Sequence, residues 1–137
     1  AIGDALRGAC VDQPPFRFEL KDLGVFPNPG RPRVVWVGVD EPSGALVALK
    51  KGVTQALAPL GFEAEKRAYT PHLTIGRAAR HANRRDLADV GTLITGSEVG
   101  TLAEVSVDHI RLMKSDLQPS GVVYTPLAVV PFGKSAN

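Results

Sequence analysis

Apolar and polar positions alternate first over Phe16, Phe18 and Leu20, with Arg17 and Glu19 between them, which is the period of a half-buried strand ending at Gly24. A turn-rich stretch follows from Phe26 to Pro32, and Val34 to Val39 then form a nearly continuous apolar run suited to a central strand. Beyond Ser43 the spacing changes. Leu46, Leu49, Val53, Leu57 and Leu60 fall on one face of a 3.6-residue helix, closed by Pro59 and Gly61. Pro71 to Arg77 returns to strand character, and Asn83 with Asp86 caps a second helix that carries Leu87, Val90 and Ile94. The last third reads as two extended segments, Val105 to Met113 and Val122 to Val130, joined by a turn at Gln118-Pro119-Ser120-Gly121. The order strand, strand, helix, strand, helix, strand, strand predicts an α+β fold of mostly antiparallel sheet with flanking helices.

A chain of 137 residues, 44% apolar and 22% charged, has the size and composition of a single folded domain, here residues 1–137. No apolar run approaches the roughly 20 residues of a membrane helix, and no secretory signal pattern precedes the first strand. A cytoplasmic protein without a membrane partner is expected. The single cysteine, Cys10, excludes an internal disulfide and a multi-cysteine metal site, and reads as a small core or surface residue. No metal or other cofactor is expected. The chain opens on Ala1, and Ala5, Leu6 and Ala9 fit the back half of a helix, as though the N-terminus were cut.

The charge is unevenly placed. Lys66, Arg67, Arg77, Arg80, Arg84 and Arg85 are six basic residues in a stretch with no acidic one; the whole chain carries +2, so the remainder is net −4. Such a cluster attracts phosphate groups, or forms an ordinary solvated face. It surrounds His72. In a strand, His72 and Thr74 project from one face while Leu73 and Ile75 anchor the other. An imidazole titrates near neutral pH and passes protons, and a hydroxyl two residues on donates a hydrogen bond to a phosphoryl oxygen.

The run Tyr69-Thr70-Pro71-His72-Leu73-Thr74-Ile75-Gly76-Arg77 closely resembles the second signature of the 2H phosphoesterase superfamily, in its RNA 2′,3′-cyclic phosphodiesterase (2′-5′ RNA ligase) branch. Leu23 to Pro29 followed by Arg31 to Gly38 resembles the family's strand, loop and strand before its long helix. Val107 to Leu117, with Val123-Tyr124, resembles its closing strands. The likeness runs from about Pro15 onward. It implies a bilobal two-histidine fold and metal-independent opening of an RNA 2′,3′-cyclic phosphate to a 2′-phosphomonoester, with 2′-5′ ligation as the reverse. One histidine then activates water and the other protonates the departing 3′ oxygen, while each motif's threonine holds phosphoryl oxygens. Carried onto this chain, the catalytic pair is His72, as general base, and Thr74.

Arg77 matches the arginine that closes the family motif and suits a substrate phosphate, although strict alternation sets it on the face opposite His72. Tyr69 and Phe26 are placed to stack on a base, and Phe26 fits core packing equally well. Trp36 is assigned to the core. Only one His-x-Thr is present, since neither His81 nor His109 has a threonine two residues on. The partners implied are RNA ends or cyclic nucleotides, together with an upstream segment or a second chain that brings the other histidine. The alternative is a non-catalytic or vestigial nucleotide-binding domain.

Overall fold

The computed structural model describes residues 1–66 and 69–133. Arg67, counted above in the basic stretch, lies outside the described residues. The elements run α1 (Ile2–Cys10), β1 (Phe16–Phe26), β2 (Val34–Asp40), α2 (Ala45–Leu57) with a short 3-10 turn at Ala58–Leu60, β3 (His72–Arg77), α3 (Arg84–Thr95), β4 (Thr101–Val107), β5 (His109–Gln118) and β6 (Gly121–Pro131). The fold is α+β, as the order of patterns predicts. Among the described residues no helix is long and apolar enough to cross a membrane.

Two compact units result. The first comprises residues 1–17, 43–68 and 106–137, and the second residues 18–42 and 69–105. In the first, β5 and β6 form an antiparallel hairpin across the predicted turn, and Leu6, Cys10, Leu49 and Val130 make the buried core. Leu6 and Cys10 lie one helical turn apart on α1, so a single stripe of that helix meets Leu49 of α2 and Val130 of β6. Ile2, Phe16, Val53, Leu57, Ile110, Leu112 and Phe132 close around them, with the Phe16 and Phe132 rings stacked at 5.9 Å.

The second unit holds a four-stranded sheet in the order β3-β2-β1-β4. The extended run predicted over Val105 to Met113 is in fact two strands divided at Asp108: β4 joins this sheet and β5 the hairpin. Both sides of Asp108 are extended, so periodicity carries no mark of the break. Its carbonyl accepts the Phe132 N–H at 2.8 Å.

Two register shifts shape the sheet. In β1 the step from Lys21 to Leu23 leaves Asp22 unpaired at φ 63°, with its N–H donating to the Gly100 carbonyl at 2.9 Å. In β3 the pairs Trp36 with Thr74 and Val35 with Gly76 leave Ile75 as an extra residue. Helix α3 begins in a reciprocal cap: Asn83 Oδ1 accepts the Asp86 N–H at 2.8 Å, and Asn83 Nδ2 donates to Asp86 Oδ2 at 3.0 Å. A Cβ at Gly91 would overlap the Pro29 carbonyl, so α3 lies directly against the β1–β2 loop.

Leu73 and Ile75 correct an expectation. They are 49% and 57% exposed rather than buried behind His72 and Thr74. β3 is an edge strand, with β2 on one side alone, and α3 packs on the β1–β2 loop instead of over β3. Alternation alone does not bury a side chain; burial also needs a covering layer.

Candidate active site

Pairing across the sheet decides which side chains share a face. His72 stands opposite Gly38, Thr74 opposite Trp36, and Trp36 opposite Gly24, so these positions lie on one face. Gly24 is required there, because a Cβ on it would overlap the Trp36 indole. The ring therefore lies over Gly24 on the neighbouring strand and packs beside Phe26 and His72. Ring centroids stand 5.2 Å apart for Phe26 and Trp36, 5.1 Å for Phe26 and His72 in an edge-on contact, and 6.3 Å for Trp36 and His72.

Trp36 was expected in the core, and the structure places it beside the catalytic candidate instead. The apolar run 34–39 conceals this, since a run without alternation hides which face each residue takes. The register across Gly24 and Thr74 reveals it. The indole N–H is buried with no hydrogen-bond partner among the described residues, which leaves a desolvated donor under the site.

His72 itself is exposed, and its Nδ1 lies 2.7 Å from the Thr70 carbonyl oxygen. A carbonyl only accepts, so this bond requires the proton on Nδ1. The neutral ring then carries its free lone pair on Nε2. Two contacts thus fix the imidazole: a backbone oxygen selects its tautomer, and the contact with the Phe26 ring limits its rotation. Thr74 is half-buried on the same face.

Arg77 is moved by the bulge. Skipping Ile75 brings Gly76 opposite Val35 and Arg77 opposite Val34, which shares the face of Trp36. Arg77 accordingly belongs to the face of His72 and Thr74, where strict alternation had set it on the other. Tyr69 lies ahead of the strand and is 41% exposed; partial burial pushes its phenol above the ordinary tyrosine value, so it stays protonated at neutral pH. Phe26 is half-buried against Trp36 and His72. His81 lies in the turn before α3, and His109 opens β5 with its Nδ1 2.6 Å from Asp108 Oδ1.

An imidazole with a free Nε2, a hydroxyl on the same face and a guanidinium at the strand's end can accept a proton, donate to an oxyanion and balance its charge. The family model of the 2′-5′ RNA ligase superfamily matches residues 1–119, which include this face and α1. The chain belongs to that superfamily. Among its relatives, the RNA 2′,3′-cyclic phosphodiesterase of Methanothermobacter thermautotrophicus is 37% identical over 128 residues, covering 93% of this chain and 65% of that protein. The protein of the same name from Aeropyrum pernix is 39% identical over 136 residues, covering 99% of the chain and 74% of its own length. The chain therefore spans about two thirds of these curated relatives. Solved structures of the same fold include a Thermus thermophilus protein, with TM-score 0.69, 24% identity and coverage of 95% of this chain and 67% of that one. Escherichia coli LigT complexed with 3′-AMP superposes with TM-score 0.67 at 23% identity, over 97% and 70% of the two chains.

Proposed function

We propose that the chain carries one proton-transferring half of an RNA 2′,3′-cyclic phosphodiesterase site, acting on RNA ends in the cytoplasm. The observation that carries this reading is the tethered His72: its Nδ1 is committed to the Thr70 carbonyl, leaving Nε2 to work beside Thr74. Water attacks phosphorus as His72 Nε2 takes its proton. The bond from phosphorus to the 3′ oxygen breaks, the 3′ oxygen takes a proton from a second carrier, and a 2′-phosphomonoester remains. Thr74 donates to a phosphoryl oxygen, Arg77 offsets the charge that develops there, and Phe26 and Tyr69 offer faces for the base. Protein acid–base groups supply the whole step, without a metal. In the reverse, ligating direction the two carriers exchange roles.

On this reading the second carrier comes from a second His-x-Thr, on a segment or chain outside these 137 residues. The names of the M. thermautotrophicus and A. pernix relatives agree with this activity. A second reading, nucleotide binding without turnover, is favoured by the single His-x-Thr.

The deciding assay is conversion of cytidine 2′,3′-cyclic phosphate in the presence of a chelator, with the product assigned by phosphorus NMR. The 2′-phosphate should form and should vanish in His72→Ala. An unchanged rate in that variant, or a 3′-phosphate product, overturns the proposal. Binding that depends on His72 without any turnover selects the second reading.

A further inference from the structure

The β1–β2 loop and the segment after β3 enclose a second feature that the cyclic-phosphate reading does not use. A cavity of about 490 Å³ is lined by Pro27, Arg31, Arg33, Ala82, Arg84 and Leu87. Three of its six lining residues are arginines and none is acidic. Among the described residues none of the three forms an ion pair, and Asp86, the nearest acid in sequence to Arg84, is bonded to Asn83 in the α3 cap.

The cavity is a built feature. Asn28 Oδ1 accepts the Arg31 N–H at 3.0 Å, and the Arg33 N–H donates to the Phe26 carbonyl at 2.7 Å, so the loop is closed on itself. The Arg33 carbonyl accepts the Ala78 N–H at 2.7 Å, and its guanidinium donates to the Ala79 carbonyl at 3.2 Å. Arg33 therefore joins the loop to the segment that leaves β3. The Gly91 contact with Pro29 presses α3, which starts at Arg84, against the same loop.

We propose that this cavity is a second phosphate subsite, which holds a backbone phosphodiester of the RNA strand whose cyclic end lies at His72. The proposal rests on the function proposed above and names its substrate as a polynucleotide. Planar guanidinium forks match the oxygen pairs of a phosphate, and unpaired arginines in a concavity gain most from an anion. The path is set by β3. It runs from His72 past Arg77 at the end of the strand, and the chain continues through Ala78 and Ala79, bonded to Arg33, to Ala82 in the cavity wall. Arg33 takes the opposite parity from Val34, so the RNA strand turns around the end of the sheet to reach it. A cyclic mononucleotide has one phosphorus and engages one site; an oligonucleotide engages both.

The experiment compares two ligands on the full chain: a fluorescein-labelled oligoribonucleotide ending in a 2′,3′-cyclic phosphate, read by anisotropy, and cytidine 2′,3′-cyclic phosphate, read by calorimetry. Arg31→Ala and Arg84→Ala, both at exposed positions, should each weaken the oligonucleotide about ten-fold. Each should also lower the slope of log affinity against log salt by about 0.7. Mononucleotide affinity should stay within about two-fold, given that a single phosphate occupies a single site. Arg33→Lys keeps the charge at the half-buried position but loses the guanidinium fork, so it should weaken the oligonucleotide while changing the salt slope less than either alanine variant. Unchanged oligonucleotide affinity overturns the subsite, as does an equal loss for both ligands, which would put the cavity inside the cyclic-phosphate site. Arginine-dependent binding of inorganic phosphate with no change for the oligonucleotide overturns the strand assignment. A wild-type chain that binds the oligonucleotide through these arginines but ignores the mononucleotide would sink the proposed function and leave the cavity's role as an RNA phosphate site standing.

Discussion

At the residue scale, the geometry of His72 makes a statement that spectroscopy can read. The Thr70 carbonyl requires a proton on Nδ1, so nitrogen-correlated NMR at alkaline pH should show the Nδ1–H tautomer. An Nε2–H signal there would remove the base assigned to the water. Thr74 should matter less than His72. On the proposed mechanism Thr74→Val removes one hydrogen bond to a phosphoryl oxygen, and it should weaken cyclic-nucleotide binding by about ten-fold at most. His72→Ala removes the proposed proton carrier and should cost about 10² to 10⁴ in turnover. Equal losses in both would show that the two residues only bind. The sequence made His72 and Thr74 legible because two positions in one strand share a face whatever surrounds them. Arg77 was named from the motif, but its face was not legible, since that depends on the unpaired Ile75, and a bulge is a property of two strands.

At the element scale, β1 carries a close approach that only glycine permits. A Cβ at Gly24 would overlap the Trp36 ring, so Gly24→Ala has to displace the indole and the Phe26 and His72 rings beside it. Overpacking of this kind costs about 1–3 kcal/mol. Urea unfolding followed by the emission of Trp36, the only tryptophan, should record that loss together with an altered native spectrum. Wild-type stability in the variant would show that the ring has room to move. Helix α1 offers a second check through Cys10, which is fully buried and whose thiol burial pushes above its ordinary value. A maleimide should leave it unmodified in the folded chain and react once urea is added. A raised value means that the folded state holds the proton more tightly than the unfolded one. The associated stability is therefore complete below the ordinary thiol value and is lost as pH rises through the folded one. Rapid labelling in the native chain, or stability that grows over that alkaline range, would contradict the packing of α1. Periodicity located α2 and α3 from sequence because their apolar stripes are long. It missed the break at Asp108, where two strands of different sheets follow each other without a change of period.

At the scale of the whole molecule, the charge and the number of histidines set the limits of performance. The excess of six basic residues between Lys66 and Arg85, set against a remainder of net −4, concentrates positive charge on the stretch that contains β3 and leads into α3. Nucleotide affinity should fall with added salt, because attraction between exposed charges is screened within about 8–10 Å at ordinary ionic strength. The chemistry is limited differently. With His72 as the sole proton carrier of its motif, the 137 residues alone should bind cyclic nucleotide yet turn it over slowly. The M. thermautotrophicus relative, of which this chain spans 65%, is the natural comparator. A second positioned acid–base group is worth about 10² to 10⁴ in rate, and a facing wall that orients the phosphate adds to that. Side-by-side kcat measurements on cytidine 2′,3′-cyclic phosphate, with chelator and at matched salt, should therefore place this chain at least about a hundred-fold below the relative. Affinity should differ far less, because in the proposed mechanism Thr74, Arg77 and the aromatic face act in binding before any proton moves. Turnover equal to that of the relative would show that one histidine suffices, and the two-carrier mechanism would have to be replaced by one in which His72 first accepts and then returns the same proton.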